Sequence, residues 1–315
     1  MEIILEQILV LSLVCFAGII AFKLKAVTVS NAEGLVKVIM KITLPLLVFT
    51  SFAGTKLTDE ILINFPVVFA SAIFTVSILF LLSKVTAKIL RLDRENTALH
   101  NAHTMFGNVV FLGFPLLDAL FPGGEGLIYA TIFQIGNDAL LWTWGIFILK
   151  KGANKQTERK GNHLINPATV AFVVGVIFML FKIKIPEVAF KPLFGLGHTT
   201  IYLSMIYVGV VLAQIKFKPL IQNLRSYILS FNKLLFAPIV LMFVLILIKK
   251  AGLNISDKAL MCSVLQAGMP CMIIISILAA EFGLNAKQAV ENILVSSVLA
   301  IITLPLIYWV LNLYL

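Results

Sequence analysis

The sequence predicts an all-α integral membrane protein with ten transmembrane helices in two inverted five-helix repeats, broken in spans 4 and 9. Three observations carry that expectation. Of the 315 residues 60% are apolar and only 13% are charged, about half the charge of an ordinary soluble domain. A basic connector divides the apolar runs into two sets of five. Each set places an amide, a glycine and a proline in the middle of its fourth run. A mean hydropathy of +1.02 agrees. This composition excludes a soluble globular enzyme and a disordered chain. It also excludes an outer-membrane barrel, whose strands are short and alternate in polarity.

Apolar runs between charged or Gly/Pro-rich breaks fall at about 4–22, 34–53, 62–83, 97–120, 127–149, 165–181, 193–213, 228–248, 258–280 and 290–312. Most come close to the roughly 20 residues that a helix needs to cross hydrocarbon. The first is preceded by Glu2 and Glu6 instead of a basic stretch, and no small-residue cleavage site follows, so it reads as a span and not a secretory leader. The longest connector carries Lys150, Lys151, Lys155, Arg159 and Lys160. The expected organisation is a first repeat over 1–150, a basic cytoplasmic loop over 151–164 and a second, inverted repeat over 165–315. No loop is long enough for a separate soluble domain. The Gly123-Gly124-Glu125-Gly126 run follows Pro122 and reads as a turn, lacking the strand and the Lys-Ser/Thr ending of a phosphate loop.

The net charge of +10 is distributed topologically. With the N-terminus outside, 18 of the 25 Lys and Arg face the cytoplasm. The other 7, Lys56, Lys182, Lys184, Lys191, Lys249, Lys250 and Lys258, face outward. The asymmetry predicts a multi-pass protein of the inner (cytoplasmic) membrane with both termini outside. Because the basic residues sit in short connectors, no nucleic-acid partner is expected. Cys15, Cys262 and Cys271 lie in apolar runs without metal-ligand spacing, so neither a disulfide nor a metal site is expected, and no cofactor.

Five spans per half is an odd number, so the second half enters the membrane with opposite polarity, a plan common among secondary transporters. The fourth run reads GNVVFLGFP, with Asn108, Gly113 and Pro115. The ninth reads QAGMP, with Gln266, Gly268 and Pro270. Proline removes an amide donor and glycine lets the chain bend. In hydrocarbon the freed backbone groups need partners, so such breaks survive only where they are buried in protein or line a cavity. Asn137 and Asn292 follow Pro115 and Pro270 by 22 residues each, flanked by Asp138 and Glu291. That repeated offset supports the pairing of the two halves.

At these residues the chain resembles the auxin efflux carrier family, the bacterial relatives of the plant PIN transporters. KVIMKITLPLLVF around Pro45 is similar to the family's second-span proline segment. GNVVFLGFPLLDALFPGGEGLIYATIF, 107–133, resembles its broken fourth span and the start of the fifth. NPATVAFVVG, 166–175, resembles the sixth span. AGMPCMIIISILAAEFG with VSSVLAIITLPL, within 267–306, resembles the ninth and tenth. Tyr202 stands where family members often have proline in the seventh span. The resemblance implies two crossing broken helices and an elevator-like motion of a transport domain against a scaffold. It implies small organic anions as substrates, auxin-like or dicarboxylate.

Asn108, Gly113, Pro115, Gln266, Gly268 and Pro270 are the expected substrate-binding residues. Half-helix N-termini at the breaks would present amide donors and positive dipole ends to a carboxylate. The plainer reading is that the two amides cap carbonyls freed beside the prolines. Asp138, with Asn137 and Glu291, is the expected coupling group. A carboxylate near a span centre costs roughly 2.5–3.5 kcal/mol on insertion scales and needs a partner or a wet cavity. Gln134 or Trp142, one turn away, would supply a structural partner instead. Glu291, nearer a span end, would snorkel to water. Lys37 and Lys41 read as snorkelling residues before Pro45, and His100, His103 and His198 as interfacial. Trp142, Trp144 and Trp309 read as packing or interface anchors. Phe114 and Met269 would supply apolar lining.

The expected activity is a non-enzymatic secondary carrier for a small organic anion, with proton coupling through Asp138. The lipid bilayer is its environment, and small residues on several spans would permit a homodimer. The rival class is an anion channel or pore. A membrane-embedded enzyme would need an HExxH, a GxGD-type aspartate pair or a Ser/His pair at fitting depth, and the sequence has none.

Overall fold

The computed structural model describes residues 2–54, 58–153, 167–214 and 223–315. Lys56, Lys155, Arg159, Lys160, Asn166, Lys216 and Lys218 lie outside the described residues. Fifteen α-helices form among the described ones. They are α1 (Glu2–Lys23), α2 (Val29–Val38), α3 (Leu44–Ala53), α4 (Asp59–Ile89), α5 (Arg94–Met105), α6 (Phe114–Leu120), α7 (Glu125–Leu140), α8 (Ile146–Gly152), α9 (Pro167–Leu180) and α10 (Glu187–Ala213). The series continues with α11 (Leu224–Phe231), α12 (Ala237–Lys250), α13 (Asp257–Ala267), α14 (Ile274–Glu281) and α15 (Ala286–Tyr314). No strand occurs among these residues, and one isolated antiparallel bridge joins Gly107 to Cys271.

Six helical stretches are long and apolar enough to cross a membrane: Ser30–Ala53, Asp59–Ile89, Glu125–Gly152, Glu187–Val210, Leu224–Lys250 and Gln288–Tyr314. The sequence shows ten runs. The fourth and ninth are interrupted, and the first and sixth contribute shorter apolar helices, Ser12–Lys23 and Val170–Leu180. Outward faces are apolar, as lipid contact requires. Leu81, Val85 and Ile89 form one stripe on α4, exposed by 63%, 55% and 70%.

Four single π turns interrupt these helices: Ile39–Thr43, Val109–Gly113, Leu141–Gly145 and Asn232–Phe236. Three of them immediately precede a helix with proline at its start, Pro45, Pro115 or Pro238. Proline lacks an N–H, and its ring collides with the carbonyl four residues back. Widening the preceding turn relieves that collision while the helix direction continues.

The helices gather into two compact units. One comprises Met1–Leu62, Val110–Thr131 and Ile165–Ile215, the other Ile63–Val109, Ile132–Leu164 and Lys216–Leu315. Each unit draws on both sides of the basic connector, so compactness does not follow the two halves of the sequence. In the first unit α1 and α10 touch backbone to backbone. A Cβ at Gly18 would strike the Ile206 carbonyl, and one at Gly209 the Cys15 carbonyl. Small residues permit such approach in lipid, where packing must hold helices together without a hydrophobic drive. There too α3 packs on α9 through edge-on pairs Phe49–Phe178 and Phe52–Phe172, with centroids 5.3 and 5.1 Å apart. In the second unit Leu99, Phe106, Leu149, Ile275 and Phe282 form a buried cluster that joins α5, α8 and α14.

Element order recurs along the chain. Helices α4, α5 and α7 begin at 59, 94 and 125, and α11, α13 and α15 at 224, 257 and 286, shifts of 165, 163 and 161 residues. Pairing Pro115 with Pro270 and Asn137 with Asn292 requires a shift of 155 residues, which these elements do not follow. Two lysines counted as outward exceptions are locally paired: Lys191 with Glu187 at 3.0 Å, and Lys249 with Asp257. Exposed pairs of this kind add little stability.

Candidate functional site

The break in the fourth run lies at Phe106–Gly107–Asn108, between the end of α5 and the π turn Val109–Gly113. This corrects the sequence expectation, which put it at Gly113–Pro115. Gly113 instead closes the π turn, and buried Pro115 sits in the first turn of α6. In the ninth run the break spans 268–273, and Pro270 lies inside it. Gly268 ends α13, its N–H donating to the Val264 and Leu265 carbonyls at 3.2 and 3.1 Å. Two residues later Pro270 has no N–H with which to continue the helix.

The two breaks satisfy each other. The Asn108 N–H donates to the Pro270 carbonyl at 2.7 Å, and the Met272 N–H to the Phe106 carbonyl at 3.1 Å. These bonds flank Gly107 and Cys271, which form a non-hydrogen-bonded pair whose own polar groups point away from the ladder. On one edge the Cys271 N–H donates to Ser296 Oγ at 3.0 Å, and that hydroxyl donates to the Ile293 carbonyl at 3.0 Å. The Gly107 N–H makes no hydrogen bond among the described residues. Glycine is needed here because a Cβ would lie 3.3 Å from both Met269 Cβ and the Met269 carbonyl, and 3.4 Å from Lys233 Cε. Gln266 reaches across the breaks, Nε2 donating to the Val109 carbonyl at 3.3 Å, while its buried Oε1 has no partner. Asn108, Gln266, Gly268, Pro270 and Met269 are all buried at this meeting point.

Lys233 stands beside it, 1% exposed, on the π turn Asn232–Phe236. Its Nζ donates to the Thr104 carbonyl in the last turn of α5 at 3.1 Å, at the negative end of that helix. No carboxylate pairs with it among the described residues. Neighbouring His103 is fully buried, and neither ring nitrogen has a hydrogen-bond partner. His100, 3% exposed, has Nε2 2.8 Å from Thr86 Oγ1. Both histidines are thus buried within the protein. They follow the buried face of α5 inward from its start at Arg94.

The expected coupling residues lie elsewhere. Asp138, partly exposed on α7, accepts a bond from Gln134 Nε2 at 3.2 Å, and Asn137 beside it is buried. Glu291 accepts from Asn223 Nδ2 at 2.8 Å. Asn292 Oδ1 accepts from Ser226 Oγ at 2.8 Å and from Gln288 Nε2 at 3.0 Å. Glu291 and Asn292 therefore belong to a network that ties α15 to the start of α11. Lys37 and Lys41 are exposed.

Similarity to known proteins falls on the whole of this arrangement. The model of one family, described as membrane transport protein, matches residues 3–308, both breaks included. The chain belongs to that family, the auxin efflux carrier group. An uncharacterised transporter from Methanothermobacter thermautotrophicus (strain Delta H) is 25% identical over 303 residues, 96% of each chain. Within this membrane transport protein, sequence reasoning missed Phe106, Gly107, His103, Ser296 and Lys233. Gly107 carried a signal, since a glycine beside Asn108 in an apolar run marks a weak point of a helix. Lys233 carried one too, as a lysine five residues past the start of the apolar run 228–248. Nothing local marked Ser296.

Proposed function

We propose that this membrane transport protein is a secondary carrier of small organic anions, auxin-like or dicarboxylate, working by alternating access in the cytoplasmic membrane with both termini outside. The observation that carries this reading is Lys233: a buried ammonium without a carboxylate partner, next to a helix break whose Gly107 N–H is turned outward. An unpaired buried cation is costly, and an anion that arrives there removes the penalty. The substrate carboxylate would accept from Lys233 Nζ and the Gly107 N–H. His103 would add a further donor. Gln266 Oε1 would accept from a substrate hydroxyl or indole N–H, which suits a hydroxy-dicarboxylate and an indole acid equally. The Asn108 side-chain amide would contact the substrate as well, while Gly113, Pro115, Gly268 and Pro270 hold the breaks and restart the helices. The unit that carries the breaks is the moving part of an elevator-type cycle, and Asp138, held by Gln134, takes up the coupled proton.

Counterflow in proteoliposomes tests this reading, using labelled monocarboxylates, dicarboxylates and indole acetic acid, each with and without a pH gradient. One acid is expected to accumulate, driven by the gradient in the parent protein and not in Asp138→Asn. Asn108→Ala is expected to abolish the accumulation while the protein stays folded. Exchange that ignores the gradient and Asp138→Asn alike would leave a carrier without proton coupling. Unitary conductance steps, with no counterflow for any acid, would replace the carrier by a pore.

A further inference from the structure

A second polar site lies away from the breaks, within the same compact unit. A cavity of about 810 Å3 opens among the C-terminal half of α4, the start of α5 and α8. Five cations line it: Lys84, Lys88, Arg91, Arg94 and Lys151. No carboxylate does. Asp93 and Glu95, on either side of Arg94, are both absent from the lining, and Asp93 is occupied as the N-cap of α5, accepting from the Asn96 N–H at 2.8 Å and from Asn96 Nδ2 at 2.9 Å. Arg94 is anchored by Nε donating to the Lys151 carbonyl at 2.6 Å, and Lys84 Nζ lies 4.6 Å above the Phe80 ring. These side chains are therefore held around the cavity by contacts of their own.

Thr97, whose hydroxyl donates to the Leu92 carbonyl at 3.2 Å, lines the cavity as well, and the rest is apolar with one exception. The Phe80 and Trp144 rings lie 4.1 Å apart, tilted at 55° to each other, and Phe147, 61% exposed, forms part of the rim. The Leu81, Val85 and Ile89 stripe runs beside Lys84 and Lys88 on the same helix, so the cations border a lipid-facing surface. The exception is Asn101. It lines the cavity, is 6% exposed, and its Oδ1 has no hydrogen-bond partner among the described residues. By the Lys and Arg distribution this end faces the cytoplasm.

We propose that this cavity binds the headgroup of an anionic phospholipid of the inner leaflet. Its phosphate sits among Lys84, Lys88, Arg91 and Lys151, a headgroup hydroxyl donates to Asn101 Oδ1, and an acyl chain runs along Phe147 and the α4 stripe. The five uncompensated cations call for an anion, and the half-exposed aromatic rim calls for an occupant with a hydrocarbon tail. Basic pockets at the cytoplasmic ends of membrane helices suit such headgroups. A phosphate in solution would satisfy the cations and leave the apolar rim uncovered. The inference does not depend on what the protein carries.

The test uses full-length protein with Trp142→Phe and Trp309→Phe, which leaves Trp144 as the reporter, in phosphatidylcholine nanodiscs. Brominated phosphatidylglycerol should quench Trp144 at mole fractions where brominated phosphatidylcholine does not. In K84Q/K88Q half-saturation should require about thirtyfold more phosphatidylglycerol, from about fivefold per cation near a membrane surface. The charge-matched K184Q/K250Q should titrate like the parent. Equal quenching by the two lipids, or an unchanged titration in K84Q/K88Q, would overturn the proposal. Should K84Q/K88Q fail to fold, K151Q supplies the same comparison at about fivefold. Relief of quenching by millimolar glycerol 3-phosphate or inorganic phosphate would show a soluble anion as the occupant and overturn the lipid assignment.

Discussion

The backbone N–H of Asn108 and the carbonyl of Pro270, 162 positions apart in the sequence, are joined at 2.7 Å. Neither break could exist alone in hydrocarbon, because each leaves backbone groups that only the other supplies. The site is thus a property of the pair.

Gly107→Ala should disrupt the pair directly. The added Cβ presses on the Met269 backbone and on Lys233, and overpacking of this kind costs about 1–3 kcal/mol. Counterflow should fall to background with a lowered melting temperature. Gly34→Ala meets nothing within 4 Å and should leave both unchanged.

Lys233→Met keeps the length of the side chain and removes its charge. Replacing a buried ion with an apolar side chain is often neutral or stabilising, so the protein should melt at or above the parent temperature. Transport should fall by at least about tenfold, the equivalent of a single charged hydrogen bond of roughly 1.4 kcal/mol. Parental uptake in a stable variant would reduce Lys233 to a cap for α5.

Ser296→Ala removes the hydroxyl that accepts from the Cys271 N–H. A buried donor left without a partner costs about 1–3 kcal/mol. Amide exchange at Cys271 should accelerate more than exchange in the middle of α13, which separates local opening of the ladder from global loss of stability.

Gly209→Val should separate α1 from α10, since even one Cβ strikes the Cys15 carbonyl. The expected result is a loss of about 3 kcal/mol or more, read as early unfolding in a denaturant titration. Gly195→Val, on the same helix with nothing within 4 Å, is the control.

Asp93 caps α5 outside the membrane. The hydrogen bond from the Asn96 N–H, aided by the Asn96 side chain, holds its carboxyl below the ordinary value of 3.8. A carboxyl lowered in the folded state contributes stability that is present above its unfolded value and is lost as pH falls through the folded one. Asp93→Ala should therefore cost about 1 kcal/mol at pH 7, and the difference from the parent should begin to shrink near pH 3.8 and fade as pH drops through the lower folded value.

The sequence revealed the spans that break more readily than the residues that break them. The Gly–Pro pairs pointed to the right runs because proline disturbs any helix. Its effect falls upstream, however, so Pro115 widens Val109–Gly113, and the break proper depends on a partner strand remote in sequence. Lys233 was read as a topological charge, since one sequence does not separate a lysine that reaches water from one sealed inside. Asn108, Gln266 and Pro270 drew notice because amides and proline within a hydrocarbon-length run have few other uses, and all three lie where the breaks meet.

Cys271 sits at the centre of the ladder and is fully buried. Its thiol is therefore a chemical reporter installed by the fold. With Cys15 and Cys262 changed to serine, the rate at which a small maleimide modifies Cys271 counts how often the paired breaks part, and a bound solute that holds them together would slow that clock.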